Sequence, residues 1–249
     1  MKEDLYLHRL VLPDYLSIQK LSRQLKLTEY LYDPDYIYHS LLLELLGPGK
    51  LLPFVQDPRK RGLALLGYSM MDSENLRDLA GVVAPTEIYN LINWKDSQSK
   101  KMPRQLNSGT CFRFRTRVCP LVRGPSYIGK DRQVPKKKNA EVDVYLARCW
   151  QKNTSADRET IYLEWLENEL GREKAAMLES ASMTGFRLKW ALRRGRNRNP
   201  RTITLPDALF KGALSINNPQ GFARLIARGI GRHRSFGFGM LLLITSEDK

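Results

Sequence analysis

The sequence predicts an α+β fold made of two tandem β-α-β-β-α-β units, and three observations support this. Apolar strand-like runs alternate with amphipathic helical stretches along both halves of the chain. A polar stretch rich in turn formers, 93–109, separates the halves. The length of 249 residues and the hydrophobic content of 42% suffice for one large or two small domains. We therefore expect two ferredoxin-like domains, 1–105 and 106–249, the second with a basic helical insertion.

The first unit has its clearest helix signals around its second helix. Asp33 suits the N-cap, Pro34 suits the first helical position, and Gly47 suits the position after the last turn. Together they predict a helix over 33–47. The other elements expected in this unit are a strand at 5–12, a helix at 17–31, strands at 51–56 and 63–71, a helix at 73–80 and a last strand near 82–92.

The second unit opens with a strand at 110–122 that reads FRFRTRV in its middle. Because side chains alternate across a strand, Phe112 and Phe114 should share one face. Arg113, Arg115 and Arg117 should then share the other face. Three arginines in register favour a nucleic-acid surface over a solvated edge strand. Further expected elements are a capped helix at 157–171, a strand at 209–216, a helix at 218–229 and a strand at 238–245.

The densest basic stretch lies in the insertion, which spans about 157–201. We interpret FRLKWALRR as helical, and Gly195 and Pro200 as the residues that end this helix. Like charges at this density repel one another, so they indicate an anionic partner such as phosphate. The cations of this stretch are Arg187, Lys189, Arg193, Arg194, Arg196, Arg198 and Arg201.

The overall charge narrows the class of partner. Lys and Arg number 41 against 26 Asp and Glu, for a net charge of +15, which attracts polyanions. Arginine dominates the basic clusters, whereas membrane surfaces select lysine-rich amphipathic helices. Three unpaired cysteines and scattered histidines predict a cytoplasmic protein with no disulfide framework, metal site or cofactor. We expect no membrane segment and no signal peptide.

A glycine-rich loop at 229–239 precedes the closing strand. Its sequence, GIGRHRSFGFG, places Arg232, His233 and Arg234 among four glycines. Glycine tolerates positive φ and lets another backbone or a ligand approach closely. The loop therefore predicts a site that admits an anionic group, with a tight helix-to-strand connection as the simpler alternative.

The order of these parts resembles the CRISPR-associated repeat endoribonucleases. The tail LSINNPQGFARLIARGIGRHRSFGFGML carries the sharpest resemblance, and FRFRTRVCPLV is similar to the first strand of the family's second half. The resemblance extends along nearly the whole chain and fits the type I-E or the type IV-A branch. It implies binding of a repeat hairpin and cleavage at its 3′ base, without metal, by attack of a ribose 2′-hydroxyl. It also implies that the protein stays bound to the guide RNA, beside the backbone subunits of a class 1 interference complex.

The catalytic residues depart from the type I-E pattern. In those relatives a histidine on the first helix is the acid–base residue, but here IQKLSRQLKL has Ser22 and Arg23 in its approximate place. Arginine cannot act as a base near neutral pH, yet it can stabilise the charged transition state. A catalytic site made of arginines resembles the sites of type IV-A relatives. Such a site would cut slowly, which suffices for a processing enzyme that cuts one RNA and stays bound to it. We expect Arg23 to be central, with a contribution from Arg234 or Arg232.

A histidine remains the main rival to this arginine chemistry. His39 lies on the second helix beside Tyr38, whose hydroxyl could bind a phosphate. Two non-cleaving alternatives also stay open. One is an RNA-hairpin-binding subunit that only caps the guide RNA, and the other is a ribosome- or tRNA-binding protein.

The expected RNA contacts fall into four groups: the three strand arginines, the insertion cations, a lysine run and the glycine loop. The lysine run lies in a basic loop at 123–143 and consists of Lys136, Lys137 and Lys138. The contacts expected from the glycine loop are Gly229, Gly231, Arg232, His233, Ser235, Gly237 and Gly239.

Overall fold

A computed structural model describes residues 4–27, 33–57, 63–103, 106–123, 140–152, 157–194 and 200–244. Some predicted RNA contacts lie outside these ranges, namely Lys136, Lys137, Lys138, Arg196 and Arg198. The backbones of Arg193, Arg194 and Arg201 are described, but not their side chains. Within the described ranges, no helix combines the length and apolar character needed to cross a bilayer.

The described residues of the first unit form four strands and four helices. In chain order these are β1 (Tyr6–Leu12), α1 (Tyr15–Gln24), α2 (Pro34–Leu46), β2 (Phe54–Gln56), β3 (Leu63–Ser69), α3 (Ser73–Val83), α4 (Thr86–Tyr89) and β4 (Gln98–Lys101). The sheet has the order β2-β3-β1-β4, and β1 is antiparallel to both of its neighbours. This is the strand order of a ferredoxin-like fold.

The second unit repeats this topology with additions between its first two sheet strands. Its elements are β5 (Cys111–Val118), β6 (Leu121–Arg123), β7 (Glu141–Asp143), α5 (Val144–Lys152), α6 (Arg158–Leu170), β8 (Ala176–Arg194), β9 (Pro200–Ile216), α7 (Pro219–Arg228) and β10 (Leu241–Ile244). The sheet order is β10-β5-β9-β8, which corresponds to that of the first sheet. The prediction of two tandem ferredoxin-like units is confirmed. The domain limit at residue 105 stays a prediction.

Local capping signals explain why the predicted helices begin and end where they do. The Asp33 side chain accepts a hydrogen bond from the Asp35 backbone, and α2 ends at Gly47 with a φ of 78°. In α7, the Asn218 side chain accepts from two backbone amides, and Gly229 follows with a φ of 77°. These signals need no tertiary context, because the cap satisfies amides that the helix leaves without partners.

Three sequence predictions about elements are wrong. Residues 185–194 are not helical, because they form the end of β8 and pair with β9 from Arg187 opposite Asp207 to Arg194 opposite Pro200. Within the described part of the predicted insertion, 157–201, the α-helix is α6, and α5 precedes the insertion. The expected strand near 82–92 is absent from the described fold, since α3 continues to Val83 and α4 follows. The last strand of the first sheet, β4, lies instead in the expected linker.

Two large apolar clusters hold the units together. The first packs α2 against the first sheet through buried residues such as Ile37, Leu41 and Leu10. The second packs α6 and α7 against the second sheet and also takes in Tyr68 of β3. The buried Tyr68 hydroxyl donates to the Leu241 backbone carbonyl at 3.0 Å. The units therefore share a packed interface, because one cluster contains residues of both.

Candidate nucleic-acid interface

The glycine loop, residues 229–239, is shaped by the protein's own atoms. Its four glycines have φ between 68° and 80°. A Cβ on Gly239 would lie 2.2 Å from the Ile230 carbonyl oxygen, and one on Gly229 would lie 2.8 Å from the Gly239 oxygen. Gly229, Gly237 and Gly239 are buried. Their missing side chains make room for the loop's own backbone and neighbours, and RNA contact at these three glycines stays a prediction.

Gly231 also serves the loop's internal packing. A Cβ at this position would lie 3.0 Å from the Trp165 ring, and the Gly231 amide donates to Glu169 at 3.3 Å. The loop amide therefore already has an acceptor within the protein.

Helix α2 supports the loop through aromatic contacts. The His39 ring lies 4.7 Å from the Phe236 ring, and the Tyr36 ring stacks on Phe236 at 6.0 Å. Burial lowers the pKa of His39, although a hydrogen bond with the Ser235 backbone partly opposes this. The structure thus brings His39 to the glycine loop, and its imidazole is neutral at neutral pH.

The middle of the loop carries three basic side chains that the protein holds in place. Arg232 Nη1 donates to Glu141 Oε1 at 3.2 Å, and His233 Nε2 lies 3.1 Å from Glu141 Oε2. Arg234 Nη1 donates to the Arg228 carbonyl at 2.6 Å. Burial and the nearby charge of Arg228 lower the pKa of Arg234. Glu141 was not expected from the sequence, because it lies about ninety positions before the loop.

A cleft of about 1260 Å³ opens beside this loop. The loop forms one wall, and β6, β7, α5 and α6 contribute to the others. Glu141 and Glu169 also line the cleft, so its charge is mostly but not wholly positive. Its arginines are Arg123, Arg148, Arg172, Arg228, Arg232 and Arg234. Sequence reasoning missed the first four, because each lies on a different element and none belongs to a dense basic stretch.

A buried ion-pair network lies where α2 meets the second sheet. Arg117 forms two hydrogen bonds to Asp35, at 3.0 and 2.8 Å, and two to Asp207, both at 2.8 Å. Lys189 Nζ donates to Asp33 at 2.6 Å and also to Asp35. Arg187 Nε donates to Asp207 at 2.8 Å. The network contains three carboxylates and three cations, so it has no net charge.

This network corrects part of the predicted RNA surface. The side chains of Arg117 and Lys189 are only 14% and 13% exposed and bind carboxylates, so they are not available to RNA in this structure. The Arg187 side chain is 66% exposed and keeps an open face. Burial raises the pKa of Asp207, but hydrogen bonds from Arg117 and Arg187 outweigh it, so this pKa lies below its ordinary value.

The predicted alternation of side chains between the two faces of β5 is otherwise confirmed. Phe114 is buried and Phe112 is half-buried on the core side. Arg113 and Arg115 are exposed on the other side. Two of the three predicted strand arginines thus remain open to a ligand.

A family model described as "CRISPR associated protein" matches residues 6–245. The chain belongs to this CRISPR-associated family. The resemblance found in the sequence is therefore confirmed. No curated protein matches the chain.

Three solved structures place the family fold over the whole chain. The CRISPR endoribonuclease Cse3 bound to 19-nucleotide RNA has a TM-score of 0.63 and 15% identity, covering 96% of this chain and all of that one. The CRISPR-associated protein Cas6e from Escherichia coli K-12 has a TM-score of 0.58 and 21% identity, covering 96% and 98%. A chain of a pre-nicking CRISPR RNA-guided surveillance complex has a TM-score of 0.53 and 19% identity, covering 96% and 98%. At these low sequence identities, the comparison shows that the fold is similar and nothing more.

The catalytic candidates of this CRISPR-associated protein lie in different environments. Ser22 and Tyr38 are buried, and their predicted action on RNA stays a prediction that this burial does not favour. Burial and the nearby Tyr15 raise the pKa of Tyr38, and its ring packs in the core of the first unit. Arg23 is exposed in the last turn of α1. Helix α1 and the glycine loop both pack on α2, which leaves Arg23 and His39 as candidates on adjacent helices.

Proposed function

We propose that this CRISPR-associated protein is an endoribonuclease that processes CRISPR repeat RNA. It binds the repeat hairpin, cuts at the 3′ base of the stem and stays bound to the guide RNA within a class 1 interference complex. One observation carries this proposal. An arginine-lined cleft opens beside the glycine loop, in a fold that matches an RNA-bound Cse3 along that protein's whole length.

The charge distribution supports a folded RNA as the ligand. The cleft offers six arginines, and the sequence from β8 to β9 adds Arg187 and five arginines beyond Trp190, with no acidic residue between Glu179 and Asp207. A-form RNA is recognised largely through its shape and its phosphates, because its deep major groove is narrow. We assign the RNA stem to the cleft and to the β8–β9 hairpin of the protein. We assign the single-stranded flank of the RNA to Arg113 and Arg115 on the exposed sheet face.

Cleavage would proceed by attack of a ribose 2′-oxygen on the adjacent phosphorus. The 2′-oxygen forms a bond to phosphorus, and the bond from phosphorus to the 5′-oxygen breaks. His39 takes the proton of the 2′-hydroxyl, and water supplies the proton that the departing 5′-oxygen takes up. Arg23 and Arg234 stabilise the extra negative charge on the phosphate, for which one lost donor typically costs ~10²–10³ in rate.

The second candidate function is an RNA-hairpin-binding subunit that does not cut. The burial of Ser22, at the approximate place of the histidine of type I-E relatives, favours it. Without a proton acceptor on α1, cleavage depends on His39 or on arginines alone. The two functions differ only in the chemistry at the scissile phosphate.

A cleavage assay with the cognate repeat hairpin in EDTA tests this proposal, with tRNA as a competitor. We expect the parent protein to cut the hairpin, and His39→Ala and Arg23→Ala to cut at least ~100-fold more slowly at similar affinity. The control is Arg77→Ala, an exposed arginine on α3. Tight binding without cleavage over hours would establish the second function. Equal competition by tRNA would contradict both.

A further inference from the structure

The β8–β9 hairpin has two chemically different faces. Because β8 is a strand, Arg187 and Lys189 point to one face, where they join the buried ion network. Phe186, Leu188 and Trp190 point to the opposite face. At these positions the β8–β9 hairpin carries cations on one side and large apolar side chains on the other, although Ala191, Ile203 and Leu205 share the side of the cations.

Among the residues that the structure describes, only the start of the apolar face is covered. The Phe186 ring lies 5.9 Å from the Tyr162 ring of α6, and the Arg158 guanidinium lies 4.5 Å from its centroid. Beyond α6 the face continues uncovered, with Leu188 57% exposed and Trp190 73% exposed. An exposed tryptophan next to an exposed leucine is unfavourable in water, so it points to a ligand.

The charge of the sequence on either side of Trp190 decides which ligand fits. Of the seven cations between residues 180 and 206, Arg187 and Lys189 belong to the neutral ion network, which leaves five arginines, and this stretch has no carboxylate. A second copy of this hairpin would be repelled, whereas a phosphate backbone would be attracted. A flat aromatic ring among cations is what single-stranded nucleic-acid sites use, since every base offers a π face.

We propose that Trp190 is a stacking platform for an unpaired base of the bound RNA. The base lies in the loop of the repeat hairpin or in its flank, because bases inside an A-form stem already stack on their neighbours. Leu188 extends the apolar surface beneath the base. This inference rests on the proposed RNA-binding function. It adds an RNA contact on the face of the β8–β9 hairpin that lies opposite Arg187 and Lys189.

The test measures binding rather than cleavage, so it does not depend on the catalytic assignment. Fluorescence anisotropy follows the binding of a repeat hairpin that carries a 2′-deoxy nucleotide at the scissile position. Trp190→Leu keeps an apolar side chain but removes the π face, and Trp190→Phe keeps a ring. Val82→Ala, at an 87% exposed position on α3, is the matched control. Each variant is also measured against RNAs with a single abasic site at every loop and flank position in turn.

We expect Trp190→Leu to bind about 5- to 150-fold more weakly, and Trp190→Phe and Val82→Ala to bind nearly as the parent does. For the parent, an abasic site at one position of the RNA should weaken binding as much as Trp190→Leu does. The same abasic site should not weaken binding to the Trp190→Leu variant any further. Parent-like binding by Trp190→Leu, or additive losses at every position, would overturn the inference and leave the proposed function intact. A parent protein that binds no repeat hairpin would overturn both.

Discussion

The guanidinium of Arg117 binds both carboxylate oxygens of Asp35, with Nη1 3.0 Å from Oδ1 and Nη2 2.8 Å from Oδ2. Arg117 lies on β5 of the second unit, and Asp35 lies in the first turn of α2. The same helix carries Tyr36 and His39, which contact Phe236 of the glycine loop. The pair therefore fixes α2, the loop and the second sheet relative to one another.

We predict that Arg117→Ala strongly destabilises the protein. The substitution removes four hydrogen bonds and leaves Asp35 with Lys189 and Asp207 with Arg187 as their remaining cations. Breaking a buried ion pair by removing one partner typically costs about 3–5 kcal/mol. Arg113→Ala, on the same strand but exposed, should change the free energy of unfolding by less than about 0.5 kcal/mol. Urea denaturation of both variants measures the difference. Equal losses would show that the network does not hold the units together.

We predict that Gly239→Ala is far more damaging than Gly49→Ala. Both glycines have positive φ, 80° and 75°, which costs an alanine roughly 1–2 kcal/mol. Only the Cβ at Gly239 meets an atom, the Ile230 carbonyl oxygen at 2.2 Å, whereas the Cβ at Gly49 meets nothing within 4 Å. The clash should add at least ~1–3 kcal/mol. Thermal or urea unfolding tests this, and a similar loss for the two variants would rule out steric crowding in the loop.

We predict that stability falls as the pH drops below about 6.5, the ordinary pKa of an unfolded histidine. His8 is buried, its Nε2 lies 2.9 Å from the Met71 carbonyl oxygen, and burial lowers its pKa in the folded protein. Above pH 6.5 both states are neutral. Below it the unfolded state takes up the proton first, so the free energy of unfolding decreases until the folded pKa is passed.

Urea unfolding between pH 7.5 and 5 measures this decrease. His8→Gln should flatten part of it, and the remainder reflects His39, whose pKa burial also lowers. An unchanged pH profile in His8→Gln would contradict the assignment.

We predict that Arg123→Ala and Arg172→Ala weaken binding to all repeat RNAs and reduce its salt dependence. Both arginines line the cleft and are exposed. Each lost phosphate contact should lower the slope of log affinity against log salt by about 1. Arg77→Ala, of equal charge change but on α3, should leave the slope unchanged. A similar change in all three variants would mean that only net charge matters, not the cleft.

The sequence predicts best the features that local chemistry decides. The cap of α2 was predicted because Asp33 and Pro34 act within one helical turn, and Asn218 and Pro219 begin α7 in the same way. The prediction of a helix over 186–194 rested on its Leu, Ala, Lys and Arg content, which favours a helix, and it is wrong. Pairing with β9 along the whole of β8 outweighs that preference. The edge strand β4 was missed because its sequence, QSKK, has no apolar face.

For the candidate site, the sequence predicts the cations but not their partners. The basic stretches and the glycine loop can be recognised in the amino-acid sequence itself. The pairing of Arg117 with Asp35 joins residues 82 positions apart, and that with Asp207 joins residues 90 positions apart. Nothing in the sequence near Arg117 or Lys189 shows that carboxylates neutralise them. The cleft arginines Arg123, Arg148, Arg172 and Arg228 converge only in the folded protein.

The most direct test of the account is the chemistry of the RNA ends after incubation of the parent protein with its repeat hairpin in EDTA. Attack by the 2′-hydroxyl predicts a 2′,3′-cyclic phosphate on the upstream fragment, a 5′-hydroxyl on the downstream one and a cut at the 3′ base of the stem. A 3′-hydroxyl end, or cleavage only after a divalent metal ion is added, would contradict it.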